Sequence, residues 1–349
     1  MITSTPAPLL EADRLSIGYL PAGGDSGFIR KEISFTAERG ELVALIGPNG
    51  SGKSTLLKTL TGFIPPLKGS VRWMGKPVGS YTPAELARLI SYVSTENLRL
   101  PNMRVADLVA YGRFPYTGWL GRLREEDLQM VSTSIRKTGL SDFARREVIT
   151  LSDGERQRAL IARALAQNTP FILLDEPTAF LDVSAKYEIF QLLRQLARTE
   201  GKTILLSTHD LNIALREADK FWMLTPAGCT QGAPEDAVLQ GWLSHLFTHP
   251  QIGFDKTGGD FYLKTEPAGT AQVKGQGDAL IWTSRALTRL GFSVVTEENL
   301  PLPPLSITIT GEEDPNHLRW LLHSGETPLT FSSLHALLSY LRQEMQKPG

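Results

Sequence analysis

The stretch "GPNGSGKST", residues 47–55, constrains this chain more than any other feature of its sequence. It fits the pattern G-x-x-x-x-G-K-[ST], follows the apolar run of a buried strand and precedes a helical pattern. Glycines let backbone N–H groups turn towards phosphate oxygens, Lys53 offers charge for the β and γ phosphates, and the Ser54 hydroxyl can ligate Mg²⁺. The sequence therefore predicts a strand, a phosphate-binding loop and a helix. The loop residues are Gly47, Pro48, Asn49, Gly50, Ser51, Gly52, Lys53, Ser54 and Thr55.

Two adjacent carboxylates follow a second apolar run. "FILLDEP" places Asp175 and Glu176 at the end of a predicted strand. Neighbouring side chains of an extended chain point in opposite directions, so one carboxylate can hold Mg²⁺ while the other polarises an attacking water. An isolated Asp–Glu pair is more often a solvated strand end. Its presence in one chain with a phosphate loop favours the metal and base roles.

The chain divides into regions of different pattern. Alternating residues predict β structure up to Gly47, and helical periodicity dominates about residues 83–167, which predicts a helical insert. "FILLDEP" and "KTILLSTHD" flank a helical segment, which is the βαβ order of a parallel sheet. After Lys264 the composition becomes rich in glycine and small polar residues. We expect an α/β domain over 1–265, a linker over 266–278 and a small α+β module over 279–349.

Composition and charge argue against some classes of protein. The formal net charge is -1, so the positive footprint of a nucleic-acid-binding protein is missing. The single cysteine, Cys229, cannot form an internal disulfide, and the first residues lack signal-peptide order, so we expect a cytosolic chain. No stretch approaches the roughly 18 apolar residues of a membrane-spanning helix, so a membrane role would require a partner.

The segment "TLSDGERQRALIARAL", residues 150–165, begins like a helix that receives an anion. Ser152 and Glu155 have the spacing of a capping box, and an apolar stretch follows. By itself this spacing predicts only a helix with a capped N-terminus. In a chain that already has a phosphate loop, it raises the question of which phosphate a second helix end would bind.

Four motifs occur together in one order: "GPNGSGKST", "LSDGERQ", "FILLDEPTAFLD" and "LLSTHD". With their spacing, the chain resembles the ATP-binding cassette (ABC) family over about residues 10–250. The resemblance implies a P-loop NTPase fold of ABC type, with an N-terminal antiparallel β subdomain and the helical insert. It also implies ATP hydrolysis with ATP and Mg²⁺ bound, in which Ser54 and Asp175 ligate the metal and Glu176 is the catalytic base.

Three further residues take their roles from this resemblance alone. Tyr19 looks like the aromatic residue that stacks on adenine. Asp182 resembles the carboxylate that communicates across a dimer, and His209 resembles the switch histidine at the γ-phosphate, which we count with Glu176 as catalytic.

The resemblance also answers the question raised by residues 150–165. In ABC proteins two cassettes stack head to tail, so we expect a homodimer in which Ser152, Gly154 and Glu155 act on the ATP held by the other copy. The family usually has glycine where Asp153 stands and glutamine where Glu155 stands. Carboxylates near a triphosphate repel it unless they turn away as helix caps.

A second departure lies in "ISYVSTENLRLPN". Thr95 occupies the position of the family's coupling-loop glutamine, and Glu96 stands beside it. Either residue could be an oxygen ligand for Mg²⁺, so we assign both to the coupling loop.

The stretch "VADLVAYGRFPYTGWLGRLREEDLQ" resembles the helical insert of importer ATPases that serve iron-siderophore, haem and cobalamin permeases. The resemblance implies a motor subunit on the cytoplasmic face of the inner membrane. Its implied partners are a second copy of the chain, two transmembrane permease subunits and, indirectly, an external substrate-binding protein, without nucleic acid. Two alternatives stay open: a cassette for export or for another substrate class, and a soluble non-transport ABC ATPase. Every predicted site residue precedes Asp210, so we expect the C-terminal module to be regulatory or structural.

Overall fold

The computed structural model describes residues 8–19, 27–95, 101–118, 121–226, 228–246, 249, 251–256, 258–264, 266–296, 305–311, 317–323 and 327–346. The chain forms two compact units, Met1–Tyr262 and Leu263–Gly349. Among the helices in these ranges, none combines the length and the apolar character needed to cross a bilayer.

The first unit contains two main sheets, a short two-stranded sheet and a layer of helices. Its strands are β1 Leu10–Tyr19, β2 Gly27–Ala37, β3 Leu42–Ile46, β4 Lys68–Trp73, β5 Lys76–Pro77, β6 Ile90–Val93, β7 Phe171–Leu174, β8 Thr203–Ser207, β9 Lys220–Thr225, β10 Gly228–Gly232, β11 Ile252–Asp255 and β12 Asp260–Leu263. Its α-helices are α1 Lys53–Leu60, α2 Pro83–Leu89, α3 Val105–Ala110, α4 Glu125–Lys137, α5 Asp153–Ala166, α6 Val183–Glu200, α7 Leu211–Glu217 and α8 Pro234–Leu239.

The central sheet has the order β10-β9-β3-β8-β7-β6, and only β10 runs antiparallel to its neighbour. Strands β3, β7 and β8 are buried on both faces, as parallel strands usually are. In β3, Leu42, Ala44 and Ile46 belong to one hydrophobic cluster, and Val43 and Leu45 belong to another. Because parallel strands end at the same edge of a sheet, the segments after β3, β7 and β8 come together there.

The antiparallel sheet β2-β1-β4-β5 packs on one face of the central sheet. Phe35 stacks on Trp222 with ring centroids 4.8 Å apart, and Trp73 meets Phe171 edge-on at 4.2 Å. Helices α3 to α6 share the hydrophobic cluster on the opposite face. This arrangement agrees with the predicted α/β fold with an N-terminal antiparallel subdomain.

The predicted helical insert at 83–167 was wrong in one part, because β6 lies inside it as an edge strand of the central sheet. Beyond β6, α3, α4 and α5 pack against one another. Arg113 holds this layer together: its Nε donates to Asp127 Oδ1 at 2.8 Å, and its Nη1 donates to the carbonyl oxygen of Ala166 at 2.7 Å. The Arg113 and Asp127 side chains are buried. The guanidinium group therefore donates hydrogen bonds both to a buried carboxylate and to a carbonyl group at the end of α5.

The second unit is an α+β module. Its elements are β13 Gly269–Lys274, α9 Gly277–Arg289, β14 Phe292–Val295, β15 Leu305–Thr310, β16 Arg319–His323, β17 Leu329–Phe331 and α10 Leu334–Met345. The sheet order is β14-β13-β15-β16-β17. The expected linker at 266–278 was therefore wrong over most of its length, since β13 pairs with a strand on each side. Strands β16 and β17 pair antiparallel.

Candidate functional site

The loop between β3 and α1 contains three glycines, Gly47, Gly50 and Gly52, so no side chain covers its backbone at these positions. Gly50 and Gly52 have φ of 74° and 97°, the left-handed region that glycine adopts without a Cβ penalty. A Cβ on Gly47 would lie 2.6 Å from Ser51 Oγ and 2.8 Å from the carbonyl oxygen of Leu224, so only glycine fits there. A Cβ on Gly50 would meet no atom within 4 Å. Such a loop can turn its N–H groups towards an anion.

Lys53, the first residue of α1, folds back over this loop. Its Nζ donates to the carbonyl oxygens of Gly47 at 2.9 Å and Pro48 at 3.3 Å. Burial lowers the pKa of Lys53 below its usual value, and the negative charges of Glu176 and Asp175 oppose that shift. The loop, its lysine and the two carboxylates thus form one electrostatic unit.

Asp175 follows β7, the strand between β8 and β6. The residue is buried, and its Oδ1 accepts a hydrogen bond from Ser207 Oγ at 2.7 Å. Its Oδ2 lies 3.4 Å from the hydroxyl of Tyr92, which comes from β6. Hydroxyl groups from both neighbouring strands therefore fix the direction of this carboxylate.

Glu176 and His209 are in direct contact. Glu176 Oε1 lies 2.9 Å from His209 Nε2, and both side chains are partly exposed. Glu176 has φ of 49°, a left-handed conformation that is uncommon for a residue with a side chain. The predicted base and the predicted switch histidine thus meet at the sheet edge that carries the phosphate loop.

Sequence reasoning missed polar residues that connect this edge. Ser207 contacts Asp175 and also accepts the backbone N–H of Glu176 at 2.8 Å. Asp210 accepts hydrogen bonds from Thr178 Oγ1 and from Lys186 Nζ, each at 2.6 Å. The sequence signal for these residues was the motif "LLSTHD", in which polar residues follow a buried strand. That motif does not indicate which side chains they bond.

Helix α5 begins with the capping box that the sequence predicts. The Ser152 side chain accepts the N–H of Glu155 at 3.3 Å, and Glu155 Oε2 accepts the N–H of Ser152 at 2.8 Å. The Ser152 backbone hydrogen bond is the main reason that the pKa of Glu155 lies below its usual value. Asp153 Oδ1 accepts from Arg156 at 2.8 Å. Both carboxylates that depart from the family pattern are therefore bonded within the first turn of their own helix.

Outside the phosphate loop, the other predicted site residues that the structure describes are Gly154, Asp182, Tyr19 and Thr95. Gly154 is buried, and a Cβ there would lie 3.2 Å from Ala185 Cβ, so the start of α5 packs closely on α6. Asp182 caps α6 by accepting the N–H of Ala185 at 2.8 Å. Tyr19 ends β1 with its side chain about half exposed, and Thr95 is exposed at the bend after β6. Glu96 lies outside the described residues.

The oxygen donors fit Mg²⁺ only together with a phosphate ligand. Among the described residues, no three His, Cys, Asp or Glu side chains are grouped to hold a metal ion. The hydroxyl of Ser54 and the carboxylate of Asp175 are hard donors that Mg²⁺ accepts alongside phosphate oxygens and water. The buried Ser51 hydroxyl lacks a hydrogen-bond partner in the described part of the chain, which leaves one polar atom of the loop available to a ligand.

Known proteins are similar to both units. Residues 30–179 match the family described as ABC transporter, and residues 268–342 match the iron ABC transporter C-terminal domain. The petrobactin import ATP-binding protein of Bacillus anthracis is 38% identical over 239 residues, 68% of this chain and 86% of that protein. The iron(3+)-hydroxamate import ATP-binding protein of Bacillus subtilis is 39% identical over 207 residues, 59% of this chain and 75% of that protein. The dimeric structure of MJ0796, a bacterial ABC transporter cassette, has a TM-score of 0.56 at 28% identity, over 64% of this chain and 98% of that chain.

These similarities confirm the family that the four motifs predict. The identity to the petrobactin protein extends over most of that protein's length, and the solved cassette shares the fold. This chain belongs to the ATP-binding cassette family, as an ATP-binding and ATP-hydrolysing subunit of a transporter.

Proposed function

We propose that this chain drives the import of an iron chelate, a siderophore or haem complex, with cobalamin as the related alternative cargo. The observation that carries the iron assignment is the match of residues 268–342 to the iron ABC transporter C-terminal domain, in a chain whose first unit has the ATPase fold. The import proteins named above, for petrobactin and iron(3+)-hydroxamate, support the same substrate class.

In the proposed reaction, residues 47–55 bind the phosphates through backbone N–H groups, and Lys53 offsets their charge. Ser54 and Asp175 would hold Mg²⁺, which when bound supplies positive charge that offsets the β and γ phosphates. Glu176 accepts the proton of the water whose oxygen attacks the γ-phosphorus, and the bond to the leaving ADP oxygen breaks.

Two other residues complete the proposed site. His209 contacts Glu176 at 2.9 Å, and we assign to it the contact with the γ-phosphate of bound ATP. Tyr19 offers its exposed ring to the adenine as a stacking surface.

We further propose that two copies bind ATP between them. The start of α5, with Ser152, Gly154 and Glu155, then faces the nucleotide of the second copy. Two large apolar side chains beside Asp182 support such an interface, because Phe180 is 87% exposed and Val183 is 71% exposed. Asp182 would lie in the same interface and communicate between the two nucleotides.

The proposed permease contact lies on the helical layer. Tyr111 and Phe114 are exposed aromatic residues of the turn Tyr111–Tyr116, whose backbone the buried Arg113 fixes. Exposed aromatics on a rigid turn suit a protein interface. Together with the coupling loop at Thr95 and Glu96, this surface would contact two permease subunits at the cytoplasmic face of the inner membrane. An external binding protein would deliver the chelate to them.

The test is uptake of radiolabelled substrate in the native host, with Lys53→Ala introduced in the chromosomal gene. Iron hydroxamates, iron catecholates and haem labelled with radioactive iron, and cobalamin labelled with radioactive cobalt, are offered separately. We expect uptake of one iron chelate to be lost while uptake of the others is unchanged. Normal uptake of every iron chelate would contradict the iron assignment, and loss of cobalamin uptake alone would favour the alternative cargo.

A further inference from the structure

One buried hydroxyl contacts both carboxylate residues of the site. Ser207 Oγ donates to Asp175 Oδ1 at 2.7 Å and accepts the backbone N–H of Glu176 at 2.8 Å. Ser207 is the last residue of β8 and is 0% exposed. The bridge therefore joins the proposed metal ligand and the proposed base through a group that solvent does not reach.

The backbone explains why this bridge matters. The chain leaves the extended conformation of β7 between Leu174 and Glu176, and Glu176 enters the left-handed region with φ of 49°. That region is unfavourable for a side-chain-bearing residue unless its surroundings hold it there. The hydrogen bond from the Glu176 N–H is made at this turn. Without the hydroxyl, that N–H and Asp175 Oδ1 would each lose a buried partner.

The neighbouring polar contacts join other atoms of the two carboxylate residues. The hydroxyl of Tyr92 lies 3.4 Å from Asp175 Oδ2, and His209 Nε2 lies 2.9 Å from Glu176 Oε1. Ser207 is the residue that ties the direction of one carboxylate to the backbone of the next.

We propose that Ser207 is a positioning residue, which holds Asp175 for the metal and Glu176 for the attacking water. This inference rests on the roles given to those two residues in the proposed function. Groups that orient metal ligands in this way typically change metal affinity or activity by about 10–100-fold when they are removed.

The same strand supplies a matched control. Thr203, the first residue of β8, is 1% exposed. Its Oγ1 accepts the N–H of Gly40 at 3.0 Å and donates to the carbonyl oxygen of Glu38 at 3.0 Å. Ser207→Ala and Thr203→Val each delete one buried hydroxyl that accepts one N–H and donates one hydrogen bond. A purely structural effect should appear in both variants.

The experiment compares the full-length variants in three measurements: ATP turnover, thermal unfolding, and calorimetric ATP binding over a Mg²⁺ series and in EDTA. We expect both variants to unfold at similarly reduced temperatures. Only Ser207→Ala should lower kcat by about 10–100-fold and require more Mg²⁺ for tight ATP binding, with binding in EDTA unchanged. Thr203→Val should stay within about twofold of wild type.

Two outcomes would overturn the inference: wild-type turnover and Mg²⁺ dependence in Ser207→Ala, or equal losses in Thr203→Val. If Ser207→Ala does not fold, Ser207→Cys decides, because its thiol keeps a weak donor and acceptor. It should show a smaller loss of the same kind, and no loss at all would contradict the inference. Glu176→Gln in the same assays separates the two proposals: full activity there removes the base assignment, while the Mg²⁺ shift of Ser207→Ala remains a test of Ser207 and Asp175.

Discussion

At the scale of single residues, Glu176 connects the parts of the site. The Glu176 side chain contacts His209 and stabilises the charged form of Lys53, so it lies within reach of both a histidine and the phosphate loop. A carboxylate in this position can accept a proton from water only while it keeps its charge.

The first prediction concerns that charge. Glu176→Gln should slow ATP turnover by about two to four orders of magnitude, because an amide of the same size cannot act as a base. ATP binding should stay within about threefold, since Lys53 and the loop are intact. Single-turnover hydrolysis and equilibrium binding measure the two effects.

The control is Glu200→Gln. Glu200 ends α6 and pairs with Lys137 at 2.7 Å, so this variant makes the same chemical change in an ion pair outside the site. Its turnover should equal that of the wild type. Near-normal turnover in Glu176→Gln would remove Glu176 from the role of base.

Motifs predicted the identities of the residues at this edge better than their contacts. The loop residues, Asp175 and Glu176 follow from local patterns that place them at strand ends, and His209 follows from the resemblance to the family. The hydrogen bonds of Ser207 depend on the parallel pairing of β7 with β8, which sets Leu174 opposite Leu206. A serine after an apolar run has no local signal that identifies a partner on another strand.

At the scale of elements, the sequence predicted the helices and strands that have a long apolar pattern or clear capping residues at their ends. Helices α5 and α6 have capping residues and apolar periodicity, and β3 is a continuous apolar run. Strand β6 has only four residues and directly follows α2, so its pattern merged with the helical region. Strand β13 contains small and polar residues, and its pairing with β14 and β15 determines its structure.

The second prediction uses two capping boxes of the same kind. Ser152 caps α5, and Thr82 caps α2, where Glu85 makes the equivalent pair of hydrogen bonds at 3.2 and 2.7 Å. Replacing either cap with alanine should cost about 1 kcal/mol of stability. Because the pKa of Glu155 is depressed in the folded state, its part of the α5 cap is present above its usual pKa and is lost as the pH falls through the lowered value.

Activity should separate the two caps. Ser152→Ala should reduce ATP turnover beyond its effect on stability, because the start of α5 is proposed to contact the second copy's nucleotide. Thr82→Ala should leave turnover unchanged. Chemical denaturation at pH 7 and steady-state hydrolysis provide both numbers, and equal turnover in the two variants would count against the proposed role of α5.

At the scale of the whole molecule, the proposed site requires two copies. Within one chain the Ser152 side chain caps its own helix and Lys53 folds over its own loop. Phe180 and Val183 are exposed beside Asp182, and the proposed dimer would bury them. Complementation between inactive chains can therefore show whether α5 acts on its own nucleotide or on that of the second copy.

The third prediction is that Lys53→Ala and Ser152→Arg chains, each inactive alone, regain activity when mixed. In a mixed dimer, the intact loop of the second chain faces the intact α5 of the first, which restores one site. If α5 served the nucleotide of its own chain, both sites in the mixed dimer would be broken. Hydrolysis is measured against the mixing ratio, and a mixture that stays inactive at every ratio contradicts the arrangement across two copies.

The last prediction concerns the second unit. Its buried apolar residues form a hydrophobic cluster of their own, from Ala271 to Leu341, whereas the two clusters of the first unit contain residues up to Phe254. Every residue assigned to ATP, Mg²⁺ or water lies in the first unit. A chain ending at Lys264, which keeps β12 whole, should therefore fold, bind ATP and hydrolyse it within about tenfold of full length.

A cooperative unfolding transition, monitored by circular dichroism, establishes that the shortened chain is folded. Turnover of the shortened and full-length chains is then compared at equal ATP saturation. A folded but inactive shortened chain would mean that residues 265–349 contribute to the chemistry, and their role as a regulatory or structural module would have to be abandoned.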